Sequence, residues 1–390
     1  MIKESTMEKT SLTSKWEYGT LADAVDKGSS NISLNKVKDD DGEYPLFSAK
    51  GFNKNISFFQ QEKEYLAIIK DGAGIGRVSK HPAKSSVVAT MQYLIPKEGF
   101  DIGFIKYFLN GIDFESHRQG STIPHVYFKD YKSEAFPLLP ISQQKQIVAI
   151  LDKAFAAIDT AKTNAEQNLQ NAKELFESYL HNVFENKGDD WEEKTLKQIS
   201  DDFGRGKSKH RPRNDKKLYG GNYPFIQTGD IRNSEHFITD YSQTYNEIGL
   251  AQSKLWPKGT ICITIAANIA ETGILSFDAC FPDSVIGIVV DNKQAEIDYV
   301  EYLLQYFKVN IQSLSQGSAQ ENINLGTFEG KLFPFALLEE QKKIVDKLDA
   351  LSSECKKLET IYNQKITDLE EMKKSILQKA FSGELTNKTV

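Results

Sequence analysis

The residues best suited to chemistry in this chain are cationic and amidic. Residues 203–217 read Phe-Gly-Arg-Gly-Lys-Ser-Lys-His-Arg-Pro-Arg-Asn-Asp-Lys-Lys, seven cations against one anion. Gly204, Gly206 and Pro212 keep that run in a loop. Lysine and arginine on a loop neutralise phosphates and release counterions, and arginine can fork onto guanine edges. Arg205, Lys207, Ser208, Lys209, His210, Arg211 and Arg213 are therefore candidate nucleic-acid contacts. The competing reading is a loop that is merely solvated.

Two other polar segments each occur twice. Residues 44–51 (YPLFSAKG) correspond to 223–233 (YPFIQTGDIRN), and residues 119–125 (QGSTIPH) correspond to 316–322 (QGSAQEN). Hydroxyl, amide and basic groups concentrate there, the donors and acceptors that suit base edges. They supply Ser48, Lys50, Ser121, Thr122 and His125 in the first copy. In the second they supply Thr228, Asp230, Arg232, Asn233, Ser318, Gln320 and Asn322. Lys70, Arg77, Arg118, Tyr127 and Asn268 complete the candidate set.

Signals for catalysis are negative. Asp71-Gly72-Ala73-Gly74-Ile75-Gly76 follows an apolar run but puts Arg77 where a dinucleotide loop needs its third glycine, so a tight turn is expected. No GxxxxGK[ST], HExxH or clustered Cys/His occurs, so no metal site is expected. The proline-aromatic motifs of amino-methyltransferases and a nuclease carboxylate–lysine set are missing as well. Three cysteines (Cys262, Cys280, Cys355) make no disulfide framework, and a reducing, cytoplasmic home is the default. The longest apolar run, residues 261–270, is about half of what a membrane span needs. Residues 1–15 are polar, lack the apolar core of a secretory signal, and read as a flexible tail.

The elements that position these loops follow from the whole chain. Its 390 residues suggest two or three domains. The net charge of -6 and pI near 5.7 speak against a general nucleic-acid binder, but binding is local and net charge is an average. Hydrophobic residues make up only 39%, which suggests long solvent-exposed elements beside compact ones. An internal repeat organises the rest. Gln119-Gly120-Ser121, Phe136-Pro137, Gln144-Lys145, Leu151-Asp152 and Phe184 all recur at a constant offset of 197. Trp16-Glu17 recurs as Trp191-Glu192 at an offset of 175, so the second copy carries about 22 extra residues, in the region of the basic loop.

Each copy ends in a long stretch without Gly or Pro, at about residues 142–185 and 339–381. Apolar positions recur every three or four residues: Val148, Leu151, Phe155, Ile158, Ala165, Leu169, Ala172, Phe176, Tyr179 and Val183. Only Lys162 interrupts the stripe. Leu348, Leu351, Cys355, Leu358, Tyr362, Leu369, Met372 and Ile376 repeat the pattern, which is a coiled-coil seam. Ser142 suits a helix N-cap, and Gly188 and Gly383 suit stops. A helix of about 44 residues is about 65 Å long and cannot bury such a stripe alone. The spacing predicts an antiparallel pair of helices and approximate two-fold symmetry. The preceding portions alternate β-rich runs with turns and predict small α+β domains on twisted, mainly antiparallel sheets, with helices at 102–110 and 297–308.

With these residues in place, the chain resembles the specificity subunits of Type I restriction-modification systems. The likeness rests on the duplicated order: Gln-Gly-Ser ahead of each helix start (Ile141-Ser142-Gln143-Gln144 and Leu338-Glu339-Glu340-Gln341), with Pro224-Phe225-Ile226-Gln227-Thr228-Gly229-Asp230-Ile231. The resemblance implies target recognition domains at 16–140 and 188–337, long spacer helices at 141–187 and 338–383, and a tail at 384–390. It implies double-stranded DNA as the partner, each domain reading half of a bipartite, asymmetric target while the helices set the spacer. It further implies two docked methyltransferase subunits, which carry the S-adenosylmethionine, and motor/nuclease subunits for cleavage. This chain would bind no cofactor and catalyse nothing. The other reading is a coiled-coil assembly scaffold that reads no DNA, which explains the helices but not the basic and amide-rich loops.

Overall fold

The computed structural model describes residues 16–120, 122–266, 268–314 and 325–385. The chain divides into two compact units. The first comprises residues 1–166 and 363–390, and the second residues 167–362. Each unit thus holds part of both long helices, Ile141–Glu185 and Leu338–Phe381.

In the first unit, β-branched and aromatic runs form two sheets. One has the strand order Val25–Ser29, Met91–Pro96, Tyr65–Ile69, Val78–His81, all antiparallel. The other orders Gly51–Ile56, Tyr44–Ser48 and Ser86–Val87, the last pair being parallel. All five residues of Tyr65–Ile69 are buried, because both faces of the strand are covered. Leu66 and Ile68 face one apolar cluster, and Tyr65, Ala67 and Ile69 face another. The helix Ile102–Asn110 follows, capped by the Asp101 carboxylate, which accepts from the Phe104 N–H (3.0 Å).

The second unit repeats the plan and enlarges it. Ser200–Arg205, Val285–Val290, Ile261–Thr264 and Thr272–Leu275 take the same order as the first sheet, with Phe237–Ile238 added at the edge. Tyr219–Phe225 and Ala279–Cys280 reproduce the parallel pairing, Phe225 standing opposite Cys280 as Leu46 stands opposite Ser86. Helix Ile297–Leu314 runs six residues past its expected end. The expected fold class, mainly antiparallel α+β domains with paired long helices, is the one observed.

The residues that betrayed the repeat join helix to domain in both units. Gln144 is fully buried; its carbonyl accepts from the Asp101 N–H (2.8 Å), and its amide donates to the carbonyls of Leu139 (2.7 Å) and Gly99 (3.1 Å). Gln341 does the same with the Glu296 N–H (2.9 Å) and the Ala336 carbonyl (2.8 Å). Tyr107 donates to Asp152 (2.5 Å), and Tyr302 donates to Asp349 (2.6 Å). Phe381 packs on Phe104 and Phe108, as Phe184 packs on Tyr299 and Tyr306. Leaving two or three buried polar groups unpaired costs about 1–3 kcal/mol each before relaxation. Gln144→Ala and Gln341→Ala are therefore each expected to lower stability by about 2–3 kcal/mol in chemical denaturation.

The cap of the first long helix differs from expectation. The first long helix begins at Ile141, and the Pro140 carbonyl accepts from Gln143 (2.9 Å) and Gln144 (3.1 Å), so Ser142 lies inside the first turn and is not the cap. Leu337 plays the same part for the second (2.8 and 2.9 Å). Gly383 does sit just past the helix end with φ 85°. In the first unit the two helix segments run antiparallel. Lys162, the one cation on the stripe, meets Glu370 at 2.5 Å. That hydrogen bond holds the lysine pKa up and the glutamate pKa down. Lys373 pairs with Asp159 and lies 5.2 Å over the Phe155 ring. Leu358 and Met372, expected on the seam, are exposed (36% and 49%), and the partly buried Ile366 and Lys373 face inward instead.

Candidate nucleic-acid interface

In the first unit three loops are drawn together. The turn after Tyr65–Ile69 is tight: Gly72, Gly74 and Gly76 have φ of 88°, 85° and 82°. A Cβ on Gly76 would come within 2.5 Å of Phe114, and one on Gly74 within 2.7 Å of the Arg77 guanidinium. Arg77 donates to the Ala49 carbonyl (3.3 Å), linking this turn to the loop that carries Ser48 and Lys50. Gly72 N–H donates to Pro124 (2.9 Å) and Val126 N–H to Lys70 (2.9 Å), linking it to the loop 119–127. That loop is closed by reciprocal bonds between Gln119 and His125, both 2.8 Å.

Side chains complete the convergence. Asp71 holds the His125 Nδ1 on one oxygen (2.8 Å) and the Lys70 Nζ near the other (3.3 Å). Tyr127 lies parallel to the His125 ring at 6.0 Å. Ser48, Lys50, Lys70, Arg77, His125 and Tyr127 therefore belong to one connected patch, with exposed Thr122 and Ile123 on its middle loop. Arg118 pairs with Glu115 (3.2 Å) and, among the described residues, makes no side-chain hydrogen bond or ion pair to the patch. Ser121 lies outside the described residues. Asp71, the hub, shows in the sequence only as the start of the glycine turn, because its histidine partner lies 54 residues away.

The basic loop of the second unit is less free than its composition suggests. Arg205 Nε donates to the Asp283 carbonyl (2.7 Å), and Arg213 grips both Asp283 carboxylate oxygens (2.6 and 2.8 Å). Arg211 donates to the carbonyls of Ser208 (2.6 Å) and His210 (2.8 Å). The Lys217 N–H, then His210 at 2.9 Å and the Lys217 ammonium, keep the Asp215 carboxyl below its usual range. Ser208 is buried. Lys207, Lys209 and Lys216 are exposed with no ion-pair partner among the described residues. Asp283, 70 residues from Arg213, could not be seen as its counter-ion from the sequence.

Thr228, Asp230, Arg232 and Asn233 form the helix Thr228–Asn233. Asp230 accepts from the Gln227 N–H (2.8 Å) and the Ser242 hydroxyl (3.3 Å) on the same oxygen, so its carboxylate closes the helix start. Arg232 reaches Asn268 at 3.5 Å. Ser208, Arg213, Asn214, Gln227, Thr228 and Gln243 help line a cleft of about 260 Å³ joining the basic loop to this helix. Ser318, Gln320 and Asn322 lie outside the described residues. Lys207→Ala and Lys209→Ala are each expected to lower the slope of log affinity against log salt by about 0.9. Arg213→Ala is expected to loosen the loop, by stripping Asp283 of its partner. DNA titrations across salt, with melting curves, separate the two effects.

The same unit holds a buried ionic centre. Glu301 is fully buried; it accepts from Thr272 (2.7 Å) and from Gln305 (2.9 and 2.7 Å). His236 Nδ1 lies 2.7 Å from Glu301, outside hydrogen-bond alignment, and Nε2 lies 2.9 Å from Asp298. Burial opposes charge on this imidazole, but the two carboxylates outweigh it and lift the pKa to about 9. Glu235, next in sequence, pairs with Lys356 of the second long helix at 2.5 Å. Sequence reading passed over His236, a lone histidine among polar residues. Among the described residues no group of three His, Cys, Asp or Glu could hold a metal ion, and no helix is long and apolar enough to cross a membrane.

The model of the Type I restriction modification DNA specificity domain matches residues 13–170 and 188–368. A putative type I restriction enzyme MjaX specificity subunit from Methanocaldococcus jannaschii is 26% identical over 287 residues, 69% of this chain and 63% of the relative. The EcoBI specificity subunit of Escherichia coli is 25% identical over 309 residues, 68% of this chain and 61% of the relative. The matched stretch thus spans less than two thirds of either relative. Among solved structures, a chain from work on complex assembly and conformational transition of the type I R-M system covers 95% of this chain and 98% of its own, with TM-score 0.74 and 16% identity. The HsdS subunit from Thermoanaerobacter tengcongensis covers 96% and 98%, with TM-score 0.61 and 16% identity.

Proposed function

Because this chain belongs to the family of Type I restriction modification DNA specificity domains, we propose that it is the non-catalytic, sequence-reading subunit of a Type I restriction-modification enzyme. Each unit reads one half of a bipartite DNA target. The observation that carries this reading is one fold used twice with different chemistry at its loops. The sheet order and the Gln144/Gln341 and Tyr107/Tyr302 joints repeat. Among the described residues, the patch around His125 and Asp71 and the lysine-bearing loop around Arg213 do not. Two different surfaces on one plan suit an asymmetric target.

Two methyltransferase subunits would dock on the chain, and they would hold S-adenosylmethionine; motor/nuclease subunits would join for cleavage. Apolar side chains exposed on the long helices, Ile150, Leu175, Leu358, Ile361 and Met372, support helix faces as the docking sites. The reading is tested by gel shifts of the full chain with its methyltransferase subunits on a randomised duplex. Binding should weaken steeply between about 50 and 200 mM salt. No binding at either salt would favour an assembly scaffold.

A further inference from the structure

Resting on that DNA-recognition reading, we infer that His125 is the base-reading residue of the first unit and that Asp71 is its positioning residue, so that His125 Nε2 accepts a hydrogen bond from an exocyclic amino group, adenine N6 or cytosine N4, in the major groove. Asp71 Oδ1 lies 2.8 Å from His125 Nδ1. A carboxylate only accepts, so in the neutral imidazole the proton sits on Nδ1 and Nε2 is left with its lone pair. Nε2 has no partner among the described residues, and the side chain is one-third exposed.

The placement is rigid. The backbone of His125 is bonded twice to Gln119, its neighbours Pro124 and Val126 are bonded to Gly72 and Lys70, and the second Asp71 oxygen faces Lys70. A side chain whose atom and tautomer are both fixed can tell a donor from an acceptor, which a phosphate-binding lysine cannot. In the major groove only adenine and cytosine offer an amino donor. Other histidines here also meet carboxylates: His117, His210 and His236. His236 has a carboxylate oxygen within 2.9 Å of each ring nitrogen and is largely buried, so it has neither nitrogen to offer. His125 stands apart because its pair joins two of the three loops that form the exposed patch. The second unit has Ile265 and Ala266 ahead of the equivalent turn, so it offers no carboxylate there to hold a histidine.

The test selects duplexes from a randomised pool with the full chain and its methyltransferase subunits. Wild type, His125→Ala and Asp71→Asn are compared. Both variants should become permissive at one base pair of one half-site while the other half-site is kept, which also serves as a folding control. At that position, an analogue lacking the exocyclic amino group (purine for adenine, 2-pyrimidinone for cytosine) should cost wild type about tenfold in affinity. It should cost His125→Ala nothing. Asparagine can present either its oxygen or its amide, so Asp71→Asn should lose most of the discrimination. Overturning results are unchanged selection in His125→Ala, uniform weakening at every position, or an analogue penalty that persists in His125→Ala. If wild type selects no sequence at all, the DNA-recognition reading itself fails and the inference falls with it.

Discussion

Inserting one heptad into both long helices, between Glu166 and Gln167 and between Tyr362 and Asn363, is expected to replace the native target by one with the same half-sites and a longer spacer. Those junctions are where the chain passes from one unit to the other, and both passages lie within helix. Seven helical residues add about 10 Å, which corresponds to about three base pairs at 3.4 Å each. Insertion there leaves intact the Gln144, Gln341, Tyr107 and Tyr302 joints, all of which lie within a unit. Binding to the original target should fall by orders of magnitude, because only one half-site can then be engaged. Selection from a randomised pool reads the new spacing directly. A lengthened variant that kept the original spacer would show that the helices do not set it.

His236→Ala is expected to destabilise the second unit by about 3–5 kcal/mol, the usual cost of stranding a buried charge. Glu301 would keep Thr272 and Gln305 but lose its cation in a fully buried position. The pH dependence has a definite sign. The folded-state pKa is raised to about 9 from the ordinary 6.5, so this histidine's stabilisation is complete below pH 6.5 and is lost as pH rises through 9. Denaturant midpoints followed between pH 6 and 9.5 should fall with rising pH in wild type. The fall should be smaller in His236→Gln, which can hydrogen-bond but cannot titrate. An equal fall in both would place the titration elsewhere.

The repeat was legible because its constant residues do jobs that each copy needs. Gln144 and Gln341 satisfy the same backbone groups, and Phe184 and Phe381 fill equivalent core positions. A requirement met twice by the same atoms survives as a fixed offset. The long helices were legible from their period, although Leu358 and Met372 matched that period and face outward. The loops were legible only as composition. Seven cations mark the basic loop, yet Arg205 and Arg213 are spent on Asp283 and Arg211 on its own loop. Such pairings span up to 78 residues and follow from sheet order, which a local pattern does not contain. Asp230 closes the start of its helix by accepting from the Gln227 N–H, a role its amide-rich segment does not announce. Asp71 and His236 act through partners 54 and 62 residues away, so neither stood out.

The central claim is that two related units read two different half-sites. It is tested most directly by mapping modified adenines in DNA from cells that express this chain with its methyltransferase subunits. The account predicts one bipartite, asymmetric sequence with a fixed spacer, whose two halves change independently when loops of one unit are substituted. A single uninterrupted motif, a palindrome, or modification without sequence preference would contradict it.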